Sequence, residues 1–215
     1  MKMQTILVFD TETTGLPNKK DKDLSKQPYI VQFSYIIFHV STEKVEKVVD
    51  RIIKIPENIL IPESCTQIHK IDNAICQEKG VDLLDVLDEF YEDVLKVDLC
   101  VAHNVSFDLF MIETELNRLK QNNQNIERAL RYLNRCCNIK RDKFYCTMKN
   151  SIELCNIPIR ENSSYLKFPK LIELYNKLFG ELDPSVQLHN SLIDVYVCLK
   201  CFYKLYYNKE IILSI

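Results

Sequence analysis

The chain has 215 residues, 47% hydrophobic and 27% charged, which excludes a disordered tail or a fibre. Lys+Arg 28 against Asp+Glu 30 leaves a net charge of -2, so no basic body advertises nucleic acid or anionic membrane, and a phosphate-rich partner must be held locally, by metal ions or a small patch. Only three glycines are present, Gly15, Gly80 and Gly180, too few in register for a Walker loop or a dinucleotide fingerprint.

Nine cysteines, an odd number without framework spacing, point to a reduced, intracellular, soluble protein. The first apolar run, Ile6 to Phe9, is cut short by Asp10, and no stretch approaches the ~18 apolar residues of a membrane span. Cys198 and Cys201 have zinc-knuckle or redox spacing but no second pair, and they read as thiols packed on a helix. No repeat or long linker divides the chain, so 1–215 is read as a single domain.

In chain order, Gln4–Asp10 is apolar on both faces, as a buried central strand requires. The polar stretch Pro17–Pro28 reads as a loop. Tyr29–Val40 and Lys44–Ile55, rich in Val, Ile and aromatics, read as antiparallel neighbours. Pro62–Asp72 is a short helix or turn, and Leu83–Lys96 has helical spacing at Leu84, Leu87, Phe90, Tyr91 and Val94. A short strand, Asp98–Ala102, precedes a helix from about Ser106 to Lys120, capped by Asn104 or Ser106. The polar tract Gln121–Asn125 and further helical segments lead to a last helix, Asn190–Tyr207, which keeps the 3.6 period throughout. Strands first, then a strand among helices, imply an α/β sheet flanked by helices.

Three clusters carry candidate chemistry. Asp10 and Glu12 end the first strand, and period two puts both carboxylates on one face, where an open α/β sheet places its site. A solvated strand end before a turn accounts for them equally well. His103-Asn104-Val105-Ser106-Phe107-Asp108 follows the second buried strand. Asp108 lies on the buried stripe with Ile112, Leu116 and Leu119, tolerable if it faces a cation or favours the helix dipole. His189 and Asp194 would point about 140° apart on one helix. They converge only if His189 is in the loop, Asn190 is the cap and Asp194 is in the first turn.

Together these clusters resemble the DEDDh exonucleases of the DnaQ-like group, which have the ribonuclease H-like fold. Asp10 to Leu16 match the motif Asp-x-Glu-Thr-Thr-Gly-Leu; Asn104, Phe107 and Asp108 match the second; His189 and Asp194 match His-x-Ala-x-x-Asp, with Ser191 where Ala is usual. Lesser echoes are Ile30-Val31-Gln32-Phe33, Ile68-His69-Lys70-Ile71 and Leu171 to Gly180, so the likeness runs from about 4 to 206.

The resemblance implies a central mixed five-stranded sheet flanked by helices, and a 3′–5′ exonuclease releasing nucleoside 5′-monophosphates from single-stranded or frayed DNA. Asp10, Glu12, Asp108 and Asp194 would hold two Mg²⁺, with Mn²⁺ substituting, since oxygen-only ligands suit hard ions. His189 would be the general base, suited by an unperturbed imidazole pKa of about 6.5. Thr11, Thr13, Leu16, His103, Asn104 and Phe107 would meet the terminal nucleotide, Leu16 as a wedge between the last two bases. Each also has a local explanation, as turn, cap or core. The partner implied is nucleic acid with a free 3′ end, DNA favoured over RNA, with no membrane. A 3′–5′ exoribonuclease or oligoribonuclease is the alternative, a non-catalytic nucleic-acid-binding module the lesser one, and a polymerase or a second copy stays open as a further partner. Lys19, Lys20, Lys22 and Lys26 in the 17–28 loop track a phosphate backbone or simply solvate it, and Ile211-Ile212-Leu213 offers a small contact site.

Overall fold

The computed structural model describes residues 3–122, 125, 127–132 and 141–213. Residues 123 and 124 of the Gln121–Asn125 tract, and Cys136 and Cys137, lie outside the described residues.

Strand β1 (Thr5–Thr13) is the centre of a five-stranded sheet of order β3-β2-β1-β4-β5, with β2 (Ile30–His39), β3 (Lys44–Ile52), β4 (Leu99–Ala102) and β5 (Phe144–Cys146). β2 is antiparallel to β1 and β3, whereas β4 is parallel to β1 and β5 parallel to β4. The mixed sheet of the expectation is thus present. β1 runs three residues beyond its expected end, because Thr11, Glu12 and Thr13 still pair with Phe33, Gln32 and Ile30 of β2. β5, three residues long, carries too short a pattern for sequence periodicity to reveal.

Alternation on β1 sorts its side chains between two helical layers. Leu7 and Phe9 pack with α3 (Leu83–Lys96) and α4 (Val105–Gln121). Phe90 of α3 is the hub of that layer, its ring centroid 5.3, 5.0 and 5.4 Å from those of Phe9, Phe33 and Tyr35. Ile6 and Val8 face the other way, toward α7 (Ser191–Tyr207), through Val195, Cys198, Leu199 and Phe202. Cys198 and Cys201 are free, buried thiols on α7, as expected. Cys198 packs toward the sheet, but Cys201 packs with Leu174 of α6 (Leu171–Phe179) rather than sharing that contact.

The Pro62–Asp72 segment holds α1 (Glu63–His69), and α2 (Asn73–Lys79) follows it, capped by the Asp72 carboxylate on Ile75 N. A short α5 (Ile152–Cys155) precedes α6. Ile211 is buried and Leu213 packs on the core, which leaves only Ile212 of that tail apolar trio fully displayed. Among the described residues no helix is long and apolar enough to cross a membrane.

Candidate active site

The C-terminal ends of the parallel strands β1 and β4 and the N-termini of α4 and α7 meet in one place. Asp10 and Glu12 are on the α7 face of β1, opposite Ser34 and Gln32 of β2. Asp194 stands in the first turn of α7, and Asp108 in the first turn of α4. All four carboxylates are brought together. Asp10 is raised well above the ordinary carboxylate range by desolvation first, then by Asp108, Asp194 and Glu12. Desolvation, then Asp194 and Asp108, push Glu12 up to about 8. Burial lifts Asp108 and Asp194 each to about 7, against the hydrogen bonds they accept. Crowded, desolvated anions of this kind call for a cation.

The α7 N-terminus accounts for each of its first donors. Asn190 caps it, its Oδ1 accepting from Leu192 N at 3.1 Å and Ile193 N at 3.3 Å. Ser191 N donates to Gln32 Oε1 at 3.2 Å, and Ser191 Oγ donates to the Asp10 carbonyl at 2.8 Å. His189 precedes the cap in left-handed backbone, φ 69°, and its N–H donates to both Asp194 oxygens at 3.3 Å. That reversal puts the exposed imidazole beside the acids: ligand atoms of Glu12, His189 and Asp194 all lie within 4.8 Å of one another. The carboxylate oxygens fit a hard divalent cation and lack the thiolate that would favour a soft one, and the imidazole stands at their edge.

Asp108 is 1% exposed and its Oδ1 accepts from Thr11 N at 3.1 Å and Thr11 Oγ1 at 2.8 Å. Thr11, expected to meet substrate, therefore braces a carboxylate instead, because odd-numbered β1 side chains face α4. His103 is likewise committed inward: Nε2 donates to the Pro169 carbonyl at 3.0 Å and Nδ1 meets Thr147 Oγ1 at 2.9 Å. Burial lowers its pKa. Thr13 Oγ1 donates to the Gly15 carbonyl at 2.7 Å, shaping the turn that presents Leu16 at 88% exposure. Asn104 occupies the α4 cap position in left-handed backbone, φ 76°, without a side-chain cap bond; Ser106 Oγ donates to its Oδ1 at 3.0 Å. Phe107 is half-buried against the α3–α4 layer.

The Pro17–Pro28 loop is pinned rather than free. Arg118 of α4 donates to the Leu24, Gln27 and Pro28 carbonyls and pairs with Glu115. Lys19 Nζ sits 5.1 Å from the Phe110 ring centroid, and Lys26 is shared between Asp21 and Asp23.

His69 was noted in the sequence only as an echo. It is 4% exposed; its Nδ1 accepts from Ile71 N at 3.1 Å, so Nε2 carries the proton and is buried toward the Thr13 backbone. Burial lowers its pKa against a hydrogen bond to the Thr13 backbone, and the nearby His189 adds to the lowering. A buried imidazole behind the site is visible only once α1 folds against the end of β1.

The RNase T exonuclease family model matches residues 7–202. The chain belongs to this exonuclease family. It is an exonuclease. No curated protein matches it. Solved structures share the fold at low identity. "Exonuclease X in complex with 5′ overhanging duplex DNA" is 19% identical with a TM-score of 0.56, over 95% of this chain and 92% of that one. The nuclease domain of 3′hExo, a DEDDh family member bound to rAMP, is 11% identical with a TM-score of 0.66, over 100% and 98%. E. coli Exonuclease I in complex with a dT13 oligonucleotide is 18% identical with a TM-score of 0.61, over 94% of this chain but 41% of that one.

Proposed function

We propose that the protein removes nucleotides from the 3′ end of single-stranded or frayed DNA, releasing nucleoside 5′-monophosphates. The observation that carries this reading is the convergence of Glu12, Asp108 and Asp194 on Asp10 at the end of β1, with the His189 imidazole at their edge. Asp10, Glu12, Asp108 and Asp194 would hold two Mg²⁺ or Mn²⁺. Bound there, the ions supply Lewis acidity to the phosphodiester and its leaving oxygen.

His189 is the general base: exposed, and held by the backbone reversal before α7, it accepts a proton from the attacking water. The water oxygen bonds to phosphorus as the bond to the 3′ oxygen of the penultimate sugar breaks, and that oxygen is protonated. Leu16 splits the last two bases, while the Thr13–Gly15 turn, Asn104 and Phe107 line the terminal nucleotide. Thr11 and His103 act behind that pocket. RNA is the second reading, because the 3′hExo nuclease domain is bound to rAMP.

The test is a digestion series on matched single-stranded DNA, mismatched duplex and RNA, in Mg²⁺, Mn²⁺ and chelator. Asp10→Ala and His189→Ala should each lose at least ~100-fold in rate. A variant within a few-fold of the parent overturns the role of that residue, and full activity in chelator overturns the metal reading. Faster digestion of RNA than of matched DNA overturns the DNA preference.

A further inference from the structure

Behind the acids a hydrogen-bonded chain links residues of separate motifs to Asp50, which lies in none of them. Asp50 on β3 accepts at one oxygen, Oδ1, from Gln32 Nε2 at 2.8 Å and from Ser34 Oγ at 2.7 Å. Gln32, 2% exposed on β2, turns its own Oε1 to Ser191 N, the first helical residue of α7. Ser191, fully buried, closes the chain by donating Oγ to the Asp10 carbonyl. Register explains the alignment: Gln32 is directly opposite Glu12, Ser34 opposite Asp10, and Asp50 opposite Ser34.

The polarity of the chain is fixed at both ends of the Gln32 amide. An ionised carboxylate only accepts and a helix N-terminal N–H only donates, so a single orientation of the Gln32 amide satisfies both neighbours. Asp50 and the Ser191 N–H together determine which way that amide faces. The amide oxygen holds the start of α7, which carries Asp194, while Ser191 ties the same helix start to the backbone of Asp10. Two of the acids, from a strand and a helix distant in sequence, are set relative to each other by this chain.

We propose that Gln32 and Asp50 are positioning residues of the active site, and that the surface carboxylate of Asp50, two strands away from the reaction, sets the spacing of Asp10 and Asp194 for divalent cation. The proposal rests on the metal reading above. Asp50→Asn removes the charge to which the Gln32 amide nitrogen and the Ser34 hydroxyl donate, and Gln32→Leu removes the amide.

The experiment measures Mn²⁺ binding calorimetrically to the parent, Asp50→Asn, Gln32→Leu and the double variant, with kcat and KM on a single-stranded DNA oligonucleotide and melting temperature for each. Asp50→Asn should weaken Mn²⁺ binding and lower kcat roughly 10-fold, with KM and melting temperature unchanged. Gln32→Leu should do at least as much, and the double variant no more than Gln32→Leu alone, since both break one chain. Parent-like Mn²⁺ affinity in Asp50→Asn, or additive losses in the double variant, overturns the proposal. A parent that binds no Mn²⁺ overturns the metal reading itself, and the relay with it.

Discussion

Thr11 and Asp108, 97 residues apart, are joined by two hydrogen bonds from one residue to one carboxylate oxygen. Asp10 and Glu12 face α7, whereas Thr11 faces α4, so the site straddles the strand end and Thr11 fastens its far side. Thr11→Val keeps the backbone bond and the shape but removes the hydroxyl. Losing a buried bond to a charged acceptor is worth about 1.5 kcal/mol, or roughly tenfold in kcat. Steady-state kinetics on a single-stranded oligonucleotide check this, and an unchanged kcat would show that the backbone bond alone suffices.

The crowded acids predict an inverted pH dependence for the metal-free protein. Glu12 is raised to about 8 and Asp108 and Asp194 to about 7, while the unfolded chain releases those protons near pH 4. Between these limits the folded state binds more protons, so its stability is fullest below pH 4 as far as these groups go and is lost as pH rises through 7 to 8. Asp93 and Asp98, held low by their partners, act in the opposite sense in more acid solution, and the buried imidazoles of His69 and His103, also held low, oppose the slope near pH 6 but are outnumbered by the four acids. In chelator the melting temperature should fall from pH 5 to pH 8, and saturating Mn²⁺ should reduce or reverse that slope. A melting temperature that climbs over this interval in chelator contradicts the clustering.

Asn190 serves both the helix and the site, because its cap fixes where α7 begins and hence where His189 and Asp194 stand. Asn190→Ala should cost about 1 kcal/mol of stability, seen in urea unfolding, together with a fall in kcat. Loss of stability with kcat intact would separate the cap from the placement of His189.

Arg118 is 6% exposed, lies with its guanidinium carbon 3.7 Å from the Tyr29 ring centroid, and holds three carbonyls of the 17–28 segment. Arg118→Ala strands the buried Glu115 and should cost about 3–5 kcal/mol. Limited proteolysis should then cut within 17–28 faster than in the parent; equal cutting rates would show that the segment is anchored elsewhere.

Much of this was legible in the chain. The period-two run of β1, the 3.6 period of α3 and α7 and the spacing of Asp10, Glu12, Asp108, His189 and Asp194 are local patterns, and the side chains that make them are the ones found buried or converged. The requirement that His189 precede a cap at Asn190 followed from helix geometry alone. Less legible were the three-residue β5, too short to show a period, and α2, beyond a segment read as one short helix or turn.

The amino-acid order by itself determined which residues bear charge, which faces of each element are apolar, and where helices start and stop, because those depend on neighbours a few residues away. Tertiary structure alone decided that Thr11 and His103 spend their polar atoms on Asp108, Thr147 and Pro169, that His69 is buried behind His189, and that Asp50 reaches Asp10 through Gln32 and Ser191. A hydrogen bond needs its two atoms within about 3 Å, and only the packing of β3, β2, β1 and α7 brings groups so far apart in sequence to that distance.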